Sequence, residues 1–336
     1  MERVVNYAPA YRIEANDNDI TNSIQDSFIS MTITDNEGGE ADSLSITLDG
    51  SKIKKMPTKK AKLKIALGFE DRLYPQGIFS VSNFSESGFP ERVVISGTSI
   101  PMGGFSDLDS IQTQRTQIWE SITLSNLLHI VASRNGLKPM IDNELGLQNI
   151  EHIDQTAESD MALMTRIAKQ FGLVSKVSND NWMILKKGEG KNARGTKAIS
   201  HSIHKSDVSD YSFSSSTREE SCIVEARWQD IENGTKGTVS AGSGSTVFQI
   251  AYTYPNEDEA LIACNARANS QSSDNDTFDF TTSNRRGFIK AFSTGHLTAS
   301  GWRAEISNCT WKIIRITKSI DRNGGLTVSV SANKVV

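Results

Sequence analysis

Residues 30 to 49 read SMTITDNEGGEADSLSITLD and decide how the beginning of this 336-residue chain folds. On both sides of a central acidic loop, apolar residues alternate with hydroxyl-bearing ones. The alternating apolar residues are Met31, Ile33, Leu44, Ile46 and Leu48. Since successive side chains of a strand point to opposite faces, each half of the segment predicts a half-buried β-strand. The loop contains Gly38-Gly39, which suits a chain reversal, and it is longer than the tightest hairpin turns. The pattern predicts an antiparallel hairpin with an open, acidic turn.

The composition bounds the classes of protein to which the chain can belong. Hydrophobic residues make up 37% and charged residues 23%, which suits a folded chain with room for more than one domain. The net charge of −4 argues against a nucleic-acid-binding surface over the whole protein, since such binding needs Lys and Arg against phosphates, and it leaves room for a local basic patch; we expect no sequence-specific nucleic-acid binding. No signal peptide and no membrane-spanning run of ~20 apolar residues is visible. The three cysteines are far apart and predict reduced thiols.

Strand-like segments continue from the hairpin to about residue 105. Residues 63 to 67, for example, alternate Leu and Ile with Lys and Ala, and Gly68 follows them. Several short strands at close spacing, separated by Gly and Pro, are typical of a sandwich or a barrel. We therefore assign residues 1–105 to a first β-barrel domain.

The hydrophobic period changes from two to about 3.6 between residues 106 and 190. Thr123 is the predicted N-cap of one helix, which stops at Gly136. Ser159 opens a second helix, which repeats the apolar spacing of the first and stops at Gly172. Residues 106–190 are therefore predicted to form a small α/β module with two amphipathic helices.

Residues 191–336 return to the strand pattern and are assigned to a second β-barrel domain that carries one helix. The helix is the Ala-rich segment 256–268, whose acidic first turn suits the helix dipole. The Gly- and Ser-rich residues 233–245 are interpreted as a flexible loop, and residues 323–325 as the turn of the last hairpin. The predicted fold class is mainly β with an α+β insert.

No catalytic or metal-binding constellation stands out in the sequence. It contains no HExxH, GxSxG or P-loop pattern. His201 and His204 lie close together, but zinc normally takes three or four ligands. Nothing singles out a pair of carboxylates for glycoside cleavage, and tryptophans are more often core or interface anchors than sugar platforms. We therefore predict that the chain is not an enzyme and binds no cofactor or metal.

Several short motifs, in this order along the chain, resemble the late control gene D family of tailed phages. They are the hairpin at 30–49, Arg115 to Leu124 with Trp119, Glu158-Ser159-Asp160, Gly172-Leu173, and Trp302 leading into Trp311 to Ile320. Each motif is short, and their order and spacing carry the resemblance over nearly the whole chain. Ala299-Ser300 stands where a proline is expected near Gly301, which concerns only the shape of that turn.

The resemblance implies the structural baseplate hub of a contractile tail. It implies two tail-tube-like β-barrels in each chain and a homotrimeric ring of pseudo-sixfold symmetry, which joins the hexameric tail tube to the trimeric tail spike protein. The implied partners also include the tail tube or tape measure protein and other baseplate proteins. The implied location is the virion tail baseplate or a phage-tail-like particle, assembled in the cytoplasm of the bacterial host.

The acidic loop of the opening hairpin is the candidate contact with a neighbouring chain or with the tube. Its candidate residues are Asp35, Glu37, Gly38, Glu40 and Asp42. Strand edges and the helix at 256–268 are further predicted contacts, because exposed edges pair indiscriminately unless they are covered. The alternative function is a peptidoglycan-binding or cell-wall-degrading protein of the tail tip, since paired helices with short strands also resemble peptidoglycan-binding domains.

Overall fold

We describe the fold from a computed structural model of the chain. The described residues are 8–37, 41–53, 58, 61–99, 111–178, 181–186, 200–215, 222–231, 233–272, 276–283, 286–293, 295–323 and 325–335. The strands are β1 (Pro9–Ala15), β2 (Asn18–Asp19), β3 (Phe28–Asn36), β4 (Ser43–Asp49), β5 (Lys62–Phe69), β6 (Arg72–Ser87), β7 (Arg92–Ser99), β8 (Gln114–Thr123), β9 (Lys138–Ile141), β10 (Asn149–Ser159), β11 (Leu173–Ser178), β12 (Asn181–Lys186), β13 (Ser200–His204), β14 (Asp210–Ser215), β15 (Cys222–Asp230), β16 (Thr235–Ala241), β17 (Thr246–Tyr254), β18 (Asp276–Ser283), β19 (His296–Ser300), β20 (Thr310–Asp321) and β21 (Gly325–Lys334). The helices are α1 (Thr21–Ile24), α2 (Leu124–Arg134), α3 (Asn143–Gly146), α4 (Asp160–Gln170), α5 (Glu257–Ser272), α6 (Arg286–Ile289) and α7 (Ala304–Ser307).

The predicted opening hairpin is present. β3 pairs antiparallel with β4, which places Ile33 opposite Leu44 and Met31 opposite Ile46. All four side chains are buried. The period-two pattern therefore identified the inner face of the hairpin correctly, because burial of one face fixes the register of a strand.

The strands of the first and last regions form one large sheet instead of two closed barrels. Thirteen of the described strands belong to it, and their pairing order is open at both ends. The two regions join where β3 pairs antiparallel with β20, with Thr34 opposite Thr317 and Thr32 opposite Ser319. Hydroxyl groups meet across this junction, at 3.1 Å between Thr32 Oγ1 and Ser319 Oγ. The mainly β class is confirmed, and no closed barrel occurs within the described ranges.

One hydrophobic cluster packs against the large sheet and draws on both ends of the chain. It combines residues such as Met31, Ile46 and Phe79 with Trp311 and Val330. Burial of apolar area stabilises a fold in proportion to the area removed from water. The shared core therefore binds the first and last regions together over and above the β3–β20 pairing.

The two predicted helices of the middle region are confirmed as α2 and α4. The hydroxyl of Thr123 accepts a hydrogen bond from the backbone N–H of Asn126 at 3.3 Å, which caps α2. Ser159 caps α4 in the same way, through the N–H of Ala162 at 3.2 Å. Both helices pack with β8 to β12 around a hydrophobic cluster of their own.

Each of the two helices ends at a glycine with positive φ. Gly136 has a φ of 70° and Gly172 a φ of 68°. This left-handed conformation is typical of the residue after a helix, and glycine adopts it without a steric cost.

A smaller sheet of β15, β16 and β17 carries the Ala-rich helix, α5. The helix was predicted over 256–268, and its presence is confirmed. The interpretation of residues 233–245 as a flexible loop is wrong for Thr235–Ala241, because these residues form β16 and pair with β15. Glycine in this segment serves packing: a Cβ on Gly237 would lie 2.9 Å from Nε1 of the Trp228 side chain. The close approach of the indole ring thus explains the glycine at position 237 within a strand.

Candidate assembly site

Asp35, at the end of β3, lies in a buried polar cluster that joins distant parts of the chain. Its carboxylate accepts a 2.6 Å hydrogen bond from Nζ of Lys176, which belongs to β11. It also accepts hydrogen bonds from the backbone N–H of Ser293 at 2.8 Å and from the Ser293 hydroxyl at 2.7 Å. Burial by itself would raise the pKa of Asp35, but Lys176 and Ser293 outweigh it and hold the pKa below its usual value.

Asp42, directly before β4, is the second carboxylate of this cluster. Its Oδ1 lies 3.1 Å from Nζ of Lys176 and accepts a 3.2 Å hydrogen bond from the backbone N–H of Asn36. Burial raises the pKa of Asp42 to about 6, and the charge of Asp35 acts in the same direction, while Lys176 opposes both. The pKa of Lys176 is raised because its two carboxylate partners outweigh its burial. One lysine thus forms ion pairs with two acids at the base of the loop.

The other candidate residues of the acidic loop, Glu37, Gly38 and Glu40, do not belong to this cluster of Asp35, Asp42 and Lys176. Glu37 forms an ion pair with the buried Lys312 of β20. Gly38 and Glu40 lie outside the described residues. The structure therefore brings Asp35 and Asp42 together through Lys176 and places Glu37 against another strand, all in contacts within the chain. A contact of the loop with a neighbouring chain stays a prediction.

Lys318 extends the charged cluster into the core of the large sheet. Its side chain is buried, its Nζ donates a 2.5 Å hydrogen bond to Oε1 of Gln76, and it lies 4.6 Å from the ring centre of Phe292. Burial lowers the pKa of Lys318 to about 8, although Asp35 and Asp42 favour its charged form.

Sequence reasoning missed Lys176, Ser293 and Lys318 as members of this cluster. Lys318 gives a local signal, because it occupies the inward face of β20 between the buried Ile316 and Ile320. Lys176 and Ser293 give none, since their partners lie 141 and 258 positions away in sequence.

The large sheet contains the same strand arrangement twice. We call β1 and β3 to β7 the N-terminal unit, and β13, β14 and β18 to β21 the C-terminal unit. In the first, the pairs run β3–β4, β4–β7, β7–β6 and β6–β5, with β1 beside β5. In the second, they run β14–β18, β18–β21, β21–β20 and β20–β19, with β13 beside β19. Corresponding strands of the two units therefore follow each other in the same order along the chain and lie in the same order in the sheet.

The strand pairing of the two units also shows a register shift at corresponding positions. β6 shifts register against β7 between Val81 and Asn83, and β20 shifts against β21 between Ile313 and Arg315. Next to these irregularities, the N–H of Val81 donates to the C=O of Ala61 at 3.0 Å. The N–H of Ile313 donates likewise to the C=O of Gly295 at 2.9 Å. A bulge is a positioned feature of a sheet, so its recurrence aligns β6 with β20 residue by residue.

The two units differ in their short helices, in their sixth strand and in one large insertion. β1 runs antiparallel to β5, whereas β13 runs parallel to β19. The C-terminal unit also carries the small sheet and α5 between β14 and β18, where the N-terminal unit has only the acidic loop.

The described part of the chain lacks both a metal-binding cluster and a membrane-spanning helix. It contains no group of three or more His, Cys, Asp or Glu residues that could hold a metal ion. It also contains no helix that is both long and apolar enough to cross a membrane.

The sequence is similar to two curated phage proteins over nearly its whole length. It is 25% identical to the "Probable baseplate hub protein" of Escherichia phage 186, over 98% of this chain and 94% of that protein. It is 26% identical to the protein of the same name from Escherichia phage P2, over 96% of this chain and 92% of that protein. No family model matches the sequence.

The fold is similar to those of solved tail and secretion proteins. The 43 kDa tail protein of prophage MuSo2 from Shewanella oneidensis superposes with a TM-score of 0.68 at 15% identity, covering 97% of this chain and 98% of that one. The E. coli c3393 protein, a component of the type VI secretion system, superposes with a TM-score of 0.55 at 9% identity, covering 92% of this chain and 74% of that one. A chain of the Francisella PdpA–VgrG complex gives 0.58 at 10% identity, covering 98% of this chain and 58% of that one. Along almost its entire length the chain is therefore similar to the baseplate hub proteins of phages P2 and 186, and its fold is similar to that of a solved tail protein.

Proposed function

We propose that this chain is a homotrimeric baseplate hub that joins the hexameric tail tube of a contractile tail to its trimeric spike. The observation that carries the proposal is the repeated arrangement of the N-terminal and C-terminal units. Three chains with two similar units each present six similar units around one axis, while the chain itself repeats only three times. A ring of this kind can match a sixfold partner on one side and a threefold partner on the other.

The two units are the proposed counterparts of the two tail-tube-like barrels. In a single chain they share one open sheet, so barrel-like closure would come from their neighbours in the ring. The predicted domains 1–105, 106–190 and 191–336 remain part of this proposal. The separate hydrophobic cluster of the middle module supports treating 106–190 as a unit.

The proposed partners are the spike, the tail tube or tape measure protein, and other baseplate proteins. A structural neighbour at a TM-score of 0.58 belongs to a complex that contains VgrG, which supports testing a spike as the first partner. The proposed location is the tail baseplate of a virion or of a phage-tail-like particle. The proposal involves neither an enzymatic activity nor binding to specific nucleic-acid sequences.

The acidic loop is a proposed contact with a neighbouring chain or with the tube. The burial of Asp35 and Asp42 makes them anchors for the base of the loop, which leaves its tip for the contact. Glu40→Lys tests this role better than changes at Asp35, because a lysine at Asp35 would also disrupt the cluster with Lys176. Normal assembly of the folded Glu40→Lys variant would argue against the contact.

The mass of the purified chain across a concentration series tests the hub directly. The chain has a mass of 36.9 kDa, so the trimer would weigh about 111 kDa by light scattering. If the chain remains a monomer, adding the trimeric spike encoded in the same gene cluster decides the question. Failure to form any complex with that spike would contradict the proposal.

The alternative function, a peptidoglycan-binding or cell-wall-degrading protein of the tail tip, requires different assays. Sedimentation with isolated peptidoglycan and a zymogram would reveal binding and cleavage, respectively. The repeated helices α2 and α4 are the feature that motivates this alternative. Strong retention on peptidoglycan without trimer formation would favour it over the hub.

A further inference from the structure

We infer that residues 84–87 of β6 pair antiparallel with residues 212–215 of β14 from a second copy of this chain. The inference deepens the proposed hub function and rests on it, because it assigns the strand edges that would close the ring. It follows from comparing the edges of the two repeated units.

The edge of β6 is covered over only part of its length. β5 pairs with β6 up to Ser80, and the bond from Val81 to Ala61 continues that pairing by one residue. From Asn83 to Ser87, β6 pairs only with β7 on its other side within the described part of the chain. All but one of the side chains in this stretch are exposed, with Phe84 half-buried. A strand edge of this length is a template for pairing with another chain.

β14 presents the complementary edge. It pairs with β18 on one side, and no described strand pairs with its other side. It is the end strand of the large sheet, and most of its side chains are exposed, with Phe213 half-buried. Within the described residues, β6 of the N-terminal unit and β14 of the C-terminal unit therefore each present an open edge.

The counterparts of these two edges pair with each other within the chain: β20, the counterpart of β6, pairs with β3, the counterpart of β14. β20 corresponds to β6. Its first residues pair with β19, and from Arg315 onward the same edge of β20 pairs with β3. The N–H of Glu37 donates to the C=O of Ile314 at 2.9 Å where this change occurs. β3 corresponds to β14, since each lies at one end of its unit in the sheet order and pairs, inside that unit, only with the next strand (β4 or β18). The β3–β20 junction thus shows how one unit attaches to the next.

Because the bulges align β6 with β20, the residue pairs of the β3–β20 junction predict which residues of β6 and β14 lie opposite each other. Thr317 and Ser319 of β20 correspond to Ser85 and Ser87 of β6. Following the pairs through β4 and β18, Thr34 and Thr32 of β3 correspond to Ser214 and Ser212 of β14. Ser85 is therefore expected opposite Ser214 of the second copy, and Ser87 opposite its Ser212.

The side chains at these positions have the same chemistry as those of the internal junction. Thr34 and Thr317 approach to 3.4 Å between their hydroxyl oxygens. The four corresponding positions on the open edges are all serines, and all four are exposed in the single chain. Hydroxyl pairs across antiparallel strands stabilise the pairing, so the open edges carry the side chains that the junction uses.

Exposed aromatic side chains lie beside the same two edges. Tyr211 is 43% exposed, whereas Met31, its counterpart in β3, is fully buried. Phe89, in the turn that follows β6, is 93% exposed. In the transferred register, Tyr211 of the second copy lies opposite Gly88, next to Phe89. Burial of these aromatic groups would favour the contact.

The two junctions would alternate around the ring. Each chain supplies one β3–β20 junction internally and one β6–β14 junction to its neighbour, always in the same head-to-tail sense. Such a heterologous contact forms a closed ring when its rotation closes. Three chains then give six junctions, of which three lie between copies.

Cysteine cross-linking tests the register in the full-length chain. Ser85→Cys combined with Ser214→Cys should give disulfide-linked dimers and trimers on non-reducing gels, with the ladder ending at three. Each single substitution and the natural chain control for Cys222, Cys264 and Cys309. Thr34→Cys with Thr317→Cys is the positive control, since it should form an internal disulfide at the equivalent pair. Ser85→Cys with Ser212→Cys moves one partner two residues out of register and should cross-link at least fivefold less.

The outcomes separate this inference from the hub function. A trimer by light scattering in which Ser85→Cys with Ser214→Cys gives no more cross-link than its single variants would overturn the strand pairing and leave the hub intact. Cross-linking at this pair into a ladder that continues beyond three would support the pairing and overturn the closed ring. A chain that stays a monomer without cross-linking and forms no complex with the spike, while the positive control forms its internal disulfide, would overturn both. As a second measurement, Ser85→Lys with Ser214→Lys should weaken trimer formation, and Ser85→Lys with Ser214→Glu should restore it.

Discussion

Lys176 of β11 donates a 2.6 Å hydrogen bond to Asp35 of β3, across 141 positions of sequence. This contact attaches the middle module to the opening hairpin, and it forms where both side chains are almost fully buried. A buried charge is costly unless it has a partner, so the arrangement of the two parts depends on the ion pair being complete.

Removal of the lysine should destabilise the chain strongly. Lys176→Met leaves the carboxylates of Asp35 and Asp42 buried without their cation, and we expect a loss of about 3–5 kcal/mol in the free energy of unfolding. Chemical denaturation measures the loss. Lys169→Met, at an exposed position of α4, is the matched control and should change the stability by less than about 0.5 kcal/mol. Equal effects of the two substitutions would contradict the role of the cluster.

The stability should depend on pH through Asp42. Its pKa is raised from 3.8 to about 6 in the folded chain. Between these values the folded chain keeps a proton that the unfolded chain releases, so the stability falls as the pH rises through this window. Relative to Asp42→Asn, the natural chain should lose about 1–3 kcal/mol between about pH 4 and pH 7. Parallel pH profiles of the two proteins would leave Asp42 without this role. Asp35, whose pKa is lowered, acts in the opposite sense and only in more acidic solution.

Asp160 should be essential for the stability of the middle module. Its carboxylate is fully buried and accepts hydrogen bonds from Arg134, from Asn135 at 2.8 Å and from Gln155 at 2.9 Å. Asp160→Ala leaves Arg134 without its anion, and we expect a loss of about 3–5 kcal/mol by chemical denaturation. The control is Asp154→Ala in the neighbouring strand, where the exposed pair with His152 should contribute about 1 kcal/mol or less. A small effect at Asp160 would show that the buried network is dispensable.

Gly172 should be required for the packing of α4 against α5. A Cβ at this position would lie 2.9 Å from Cβ of Ala266, and the φ of 68° is unfavourable for other residues. Gly172→Ala should therefore destabilise by more than the ~1 kcal/mol that the left-handed conformation alone costs. Gly234→Ala measures that conformational cost separately, because its φ is 66° and no atom lies within 4 Å of the added Cβ. If both variants unfold at the same denaturant concentration, the helix contact has no energetic role.

The sequence by itself determined the local elements. Alternation with period two fixed the inner face of β3 and β4, and hydroxyl caps with terminal glycines fixed both ends of α2 and α4. These features depend on residues within a few positions of each other, so they can be read directly from the order of amino acids. The repeated helices and the final hairpin were identified on the same basis. β16 was missed because Gly237, which makes room for Trp228, was taken as the mark of a loop.

Only the tertiary structure decided how these elements combine. Thr34 and Thr317 are 283 positions apart, yet their strands pair and turn two predicted barrels into one open sheet. Lys176 likewise gives no local sign that it pairs with Asp35 and Asp42. The partners of a strand edge or a buried charge are chosen by complementarity across the folded chain. Similar edges and charges occur at many positions, so the order of residues alone does not specify which of them meet.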